Sequence, residues 1–134
     1  MRWASEGLAS RQQSDGAEWG GPLIFHITTA AAWSDAQLLD EYSVFSLISE
    51  GFIHLSTAEQ ALGSAARYYD DVAGLVLLHV DETRCIAEVR WEPPAHDPAS
   101  DARFPHLYGP LNLDAVVDAR PLTKDAEGRF LFPY

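Results

Sequence analysis

Cysteine is almost absent from this chain. Cys85 is the only one in 134 residues, so no intrachain disulfide can form and thiol-based metal sites are excluded. Basic residues are scarce: nine Lys and Arg face 20 Asp and Glu, for a formal charge of −11. So acidic a chain repels nucleic-acid phosphates at long range, which argues against general DNA or RNA binding. A pocket for one anionic ligand stays open, because local arginines and helix N-termini can hold a phosphate. Long apolar runs are missing too. The longest is broken by His79 and Asp81, far short of the roughly 20 residues that cross a bilayer. Residues 1–21 lack the apolar stretch of a signal peptide, so export is not expected and the cytoplasm is the simplest compartment. There is no GxSxG elbow, no GxGxxG or phosphate-binding loop, and no HExxH pair.

What is present suffices for one core, with 47% apolar and 11% aromatic residues. The expected organisation is a polar, Gly/Ser-rich flexible tail over 1–21, with Trp3 and Trp19 as its anomalies, followed by a single domain over 22–134. Leu23 to Ile27 reads as a buried strand, with Thr28 or Thr29 capping a helix that runs to about Leu39. Val44 to Ile48 suggests a short helix closed by Gly51. Phe52 to Leu55 reads as a strand, and Ser56 with Glu59 as the capping box of a helix reaching about Tyr69. Gly74 to Val80 is the strongest strand, with Ile86 to Trp91 as its expected antiparallel neighbour. Glu92 to Pro105 holds four prolines and reads as a long loop of the kind that forms lids. Leu113 to Ala119 and Phe130 to Phe132 read as late strands around a polar turn. The order predicts an α+β fold: strand, helices, strand, helix, then mostly strands.

Three histidines stand in similar settings: His26 in Phe-His-Ile-Thr, His54 in Phe-Ile-His-Leu-Ser-Thr, and His106 in Phe-Pro-His-Leu-Tyr-Gly. The first two sit at strand ends followed by hydroxyl residues that open helices. Side by side, such junctions would bring imidazoles and helix N-termini to one sheet edge, a setting suited to a ribose or phosphate. A single strand histidine is more often a hydrogen-bonded core residue; three with like flanks favour a shared site. His79 reads as structural and His96 as solvated. Three histidines can bind zinc, but no close-spaced metal signature supports that here, and no metal is expected. Cys85 follows Asp81 and Glu82, which raise a thiol pKa and leave it unreactive. Tyr68 and Tyr69 read as helix-packing aromatics. Tyr108, beside Gly109, reads as the functional one.

The motifs FHIT, EGFIHLST, LVLLHVD and FPHLYGPL, in that order, resemble the bacterial domain-of-unknown-function family 952 from about residue 23 to the C-terminus. That family is distantly related to the ADP-ribosyltransferases and the RNA 2′-phosphotransferases. The resemblance implies a split, mostly antiparallel β-sheet with flanking helices, ADP-ribosyltransferase-like, with NAD in its cleft. Carried over residue by residue, it makes His26 with Thr28, and His54 with Leu55 and Ser56, the lining of a nucleotide cleft. His106 and Tyr108 become additions on a later strand. Its catalytic glutamate has no clear counterpart; Glu88 and Glu92 qualify by type alone. Glu50 precedes the His54 strand where a basic residue would help, and arginines are few (Arg67, Arg90, Arg103, Arg120), which with the charge of −11 weighs against phosphate transfer from RNA.

Three functions compete. One is an NAD-dependent transferase in which His54 and His106 are catalytic and His26, Thr28, Ser56 and Tyr108 bind the cofactor. Another is a non-catalytic binding module for a nucleotide or small metabolite. The third is an interaction domain whose histidines merely pack.

Overall fold

A computed structural model describes residues 22–133. The expected tail over 1–21, with Trp3 and Trp19, lies outside the described residues. The rest is α+β, with two separate three-stranded antiparallel sheets and three α-helices among the described residues.

The first sheet has the order β1-β3-β6, from β1 (Leu23–Thr29), β3 (Leu75–Asp81) and β6 (Val116–Pro121). β3 is central and covered on both faces, which explains its consecutive apolar residues from Leu75 to Leu78. Leu78 and Val80 point into one core cluster with Ile24, Ile53 and Leu107; Leu75 and Leu77 point into another with Phe25, Ile27, Ala61 and Ala65. The second sheet has the order β2-β5-β4, from β2 (Ile53–His54), β5 (Phe104–Tyr108) and β4 (Glu88–Glu92). β4 is therefore not the neighbour of β3 that alternation over Ile86 to Trp91 suggested. Both edges of β3 are taken by β1 and β6, and β4 pairs with β5. A small hairpin, β7 (Thr123–Lys124) with β8 (Phe130–Leu131), ends the described chain; β7 was not anticipated. Leu113–Ala115 is a 3-10 turn rather than the start of a strand.

The helices are α1 (Ala30–Leu39), α2 (Phe45–Ser49) and α3 (Ala58–Tyr68). Thr29 caps α1 by accepting from Ala32 N. α3 is capped by Thr57 with Gln60, one residue later than Ser56 with Glu59. Ser56 is unavailable because its C=O, which a cap gives to the first intrahelical bond, already accepts from Phe25 N at 2.8 Å, while its N–H donates to Phe25 O at 2.7 Å. That bridge passes the chain leaving β2 onto β1, and so joins the two sheets. Ala61 and Ala65 are both buried, and their small side chains let α3 lie close against β1 and β3. Among the described residues no helix is long and apolar enough to cross a membrane.

Candidate functional site

The second sheet has one apolar face and one chemical face, as period-two alternation requires. Ile53, Leu107 and Val89 point into the core. His54 lies directly across from His106, and His106 directly across from Arg90. Glu92 and Tyr108 each stand two residues along from that row, on the same face.

His106 is 3% exposed, and its Nδ1 lies 2.8 Å from Glu92 Oε1. The Tyr108 hydroxyl donates to the same carboxylate oxygen at 2.7 Å. A carboxylate only accepts, so His106 donates from Nδ1 and its neutral tautomer carries a lone pair on Nε2. Among the described residues none bonds to Nε2, and His106 lines the cleft. Burial pushes His106 below the ordinary histidine pKa; Glu92 pulls the other way. The Tyr108 and His106 hydrogen bonds hold the Glu92 carboxyl below the usual range. Phe52 stacks on the His106 ring at 4.1 Å and 18°, fixing its plane. The Arg90 guanidinium lies 4.2 Å from the Tyr108 ring centroid.

His54 is the exposed partner, with 44% of its side chain open and Nε2 3.1 Å from Glu50 Oε2. Its ring centroid is 5.4 Å from that of His106, edge to face. A positive charge on His54 disfavours one on His106.

His26 is brought to the same place but does different work. It is buried, its Nδ1 donates to the His54 carbonyl at 2.6 Å, and its Nε2 lies 2.8 Å from the Tyr42 hydroxyl. Burial lowers its pKa to about 4, so the ring is neutral. Its Nε2 then accepts from Tyr42, whose oxygen is 2.8 Å from Thr28 Oγ1. Both nitrogens of His26 and the hydroxyl of Thr28 are thus engaged within the protein, and the chain of bonds holds the His54 backbone in place. Tyr42 had no signal in the sequence: its place comes from an isolated bridge to Leu111, far along the chain.

The cleft has a volume of about 860 Å³. His54, His106 and Phe104 line it from the second sheet, His26 and Ser56 from the junction, and one side of α3 from Glu59 to Tyr68. The proline-rich loop closes it with Pro94, His96, Asp97 and Ser100. Gln60 Nε2 donates to the Arg103 carbonyl at 2.8 Å, and the Tyr68 hydroxyl lies 2.8 Å from His96 Nδ1. The loop is therefore tied to both ends of α3; Tyr68 is exposed at the cleft rather than packed in the core, and His96 is exposed, as expected, while also lining the cleft. Thr28, Tyr108 and Glu92 do not line it; they stand behind the residues that do. Ser56 Oγ is 3.3 Å from Ser64 Oγ. Glu92 could have been found from its place at the end of an alternating strand, but its partner lies across the loop, 14 residues on.

Among the described residues no group of three His, Cys, Asp or Glu side chains is arranged to hold a metal ion. His79 packs edge-on against Phe25 at 5.0 Å, away from the cleft. The Cys85 thiol is pushed up to about 11 by burial, with Glu82 and Asp81 adding to the effect.

The model of a family described as protein of unknown function, DUF952, matches residues 27–119. The X-ray structure of protein CC0527 from Caulobacter crescentus is similar, with 35% identity and a TM-score of 0.72 over 81% of this chain and 93% of that one. A double-mutant crystal structure of CC0527 aligns with a TM-score of 0.71 at 35% identity, over 81% of this chain and 93% of that one. Its solution NMR structure aligns at 0.67 and 36% identity, over 80% and 90% of the two chains. No curated protein matches the chain.

Proposed function

The chain belongs to the DUF952 family, and from that premise we propose that it is a nucleotide-dependent transferase of ADP-ribosyltransferase-like type, acting on a small molecule in the cytoplasm. The observation that carries this reading is the buried His106, held by Glu92 at Nδ1 and open to the cleft at Nε2. An imidazole so held is a general base. Its lone pair is aimed, its tautomer is set, and the carboxylate behind it stabilises the imidazolium that forms when it takes a proton. Beside it, His54 is placed to return a proton to a leaving or accepting group. Glu92 and Tyr108 act through His106 and are positioning residues; His26, Thr28 and Tyr42 position His54.

The resemblance supplies NAD as the first ligand to test. A cleft of about 860 Å³ lies in the size range of small-molecule sites, so the residues present fit a nucleotide in bulk. NAD, when bound, would supply a ribosyl group on a good leaving group. His54, His106 and the α3 wall would hold its reacting end.

A binding module without turnover is the second reading. The openness of His54 favours it, since water reaches the ring that a closed active site would shield.

The test is thermal melting with NAD, ADP-ribose and nicotinamide, together with assay of nicotinamide release, on the wild type, His106→Gln and Glu92→Gln. The transferase reading expects stabilisation by NAD or ADP-ribose in all three proteins. It also expects release to fall by a factor of about 100 or more in His106→Gln. Stabilisation without release would select the binding module. No shift with any of the three ligands would overturn both.

A further inference from the structure

Among the described residues the cations are Arg67, Arg84, Arg90, Arg103, Arg120, Lys124 and Arg129. Arg84, Arg90, Arg120, Lys124 and Arg129 each pair with a carboxylate. Arg103 donates to the carbonyls of Ser100 and Ala102. Arg67 alone has no partner among the described residues. Arg67 is exposed and lines the cleft, so its guanidinium is open to a ligand that enters there.

Its place within the cleft is specific. Glu59, Gly63 and Arg67 form an i, i+4, i+8 row along α3, and all three line the cleft. The histidine pair lies at the N-terminal end of this row, because β2 leads directly into the helix cap. Arg67 lies at the other end, beside Tyr68 and its contact with His96. Eight residues of helix separate the ends by about 12 Å. Midway, Gly63 leaves open space: a Cβ built there meets nothing within 4 Å. The other fixed charges of the lining are the carboxylates of Glu50, Glu59 and Asp97.

We infer that Arg67 is the anion-recognition residue of the cleft, and that the ligand is a small molecule with an anionic group seated there and an uncharged or cationic reacting end towards the N-terminal end of α3, at the histidine pair. The inference rests on the nucleotide reading only for the choice of organic probes. One guanidinium against three carboxylates seats one phosphate or carboxylate group; a second phosphate on the same ligand finds no further cation in the lining and adds no affinity. A cation in the last turn of a helix is also favoured by the helix dipole. That explanation predicts a small loss of stability on replacing Arg67, with or without any anion.

The experiment has two arms, both on the full chain at constant ionic strength. In the first, 15N-labelled protein is titrated with inorganic phosphate and followed by NMR. The Arg67 side-chain Nε–H and the amides of Gly63 and Ser64 are expected to shift in the wild type, and the two amides also in Arg67→Lys, where the charge remains. In Arg67→Ala the Gly63 and Ser64 amides are expected to stay still. Equal amide shifts in Arg67→Ala, or none in the wild type, would overturn the inference. In the second arm, AMP, adenosine and ADP are titrated calorimetrically. AMP is expected to bind about tenfold more tightly than adenosine, an advantage lost in Arg67→Ala, and ADP no more tightly than AMP. AMP and adenosine binding alike, or an AMP advantage that survives in Arg67→Ala, would overturn it. Phosphate shifts without any nucleoside binding would uphold Arg67 and sink the nucleotide reading alone.

Discussion

Two histidines that look alike in the sequence behave oppositely once placed. His106 keeps one nitrogen for the cleft; His26 spends both on the protein. The consequence for His26 is a dependence of stability on pH. Its folded-state pKa, about 4, lies below the ordinary 6.5. Between those values the unfolded chain binds more protons, so stability rises with pH across that window. The contribution of His26 is full above about 6.5 and is lost as pH falls towards about 4. It amounts to about 3 kcal/mol. Urea unfolding at a series of pH values is expected to show this fall in the wild type and a flatter profile in His26→Asn. Parallel profiles would mean that other groups carry the dependence.

At the scale of elements, α3 matters most, because one side of it packs on the sheet and another walls the cleft. Its start depends on the reciprocal bonds of Thr57 and Gln60, at 3.2 Å from Gln60 N to Thr57 Oγ1 and 3.0 Å from Thr57 N to Gln60 Oε1. Thr57→Ala is expected to cost about 1 kcal/mol by thermal or urea unfolding, whereas Ser56→Ala, outside the cap, leaves the helix end intact. Equal losses would show that the helix starts earlier. The helix was legible in the sequence and its first residue was not. Ser56 and Thr57 are chemically near-equivalent as caps, and only the bridge from Ser56 to Phe25 decides between them. The pairing of β4 was illegible for a related reason. Alternation shows that a segment is a strand and which faces it has, but not whether the edge of β3 is already occupied.

At the scale of the whole molecule, the two sheets share no strand but do share a core. Leu107, at the centre of the second sheet, and Leu78, at the centre of the first, are both 0% exposed in one cluster. Removing the Leu107 side chain therefore loosens both sheets at once. Leu107→Ala is expected to destabilise the protein by about 3 kcal/mol while unfolding stays a single transition by calorimetry and by near-UV circular dichroism. Two resolved transitions would show that the sheets fold independently.

Local properties of the chain determined the α+β class, the positions of β1, β3 and the three helices to within a few residues, and the inert surroundings of Cys85. Each follows from periodicity, capping chemistry or adjacent charge, which act over a few residues. The gathering of His26, His54 and His106 was foreseeable only as a juxtaposition of like motifs. The tertiary structure alone decided the rest. It gave Glu92 to His106 across a loop, Tyr42 to His26 across 16 residues, and the loop to both ends of α3. It also left Arg67 without a partner among the described residues. Those outcomes depend on which strand edges and side chains meet, a matter of competition among distant segments that no single stretch of sequence encodes.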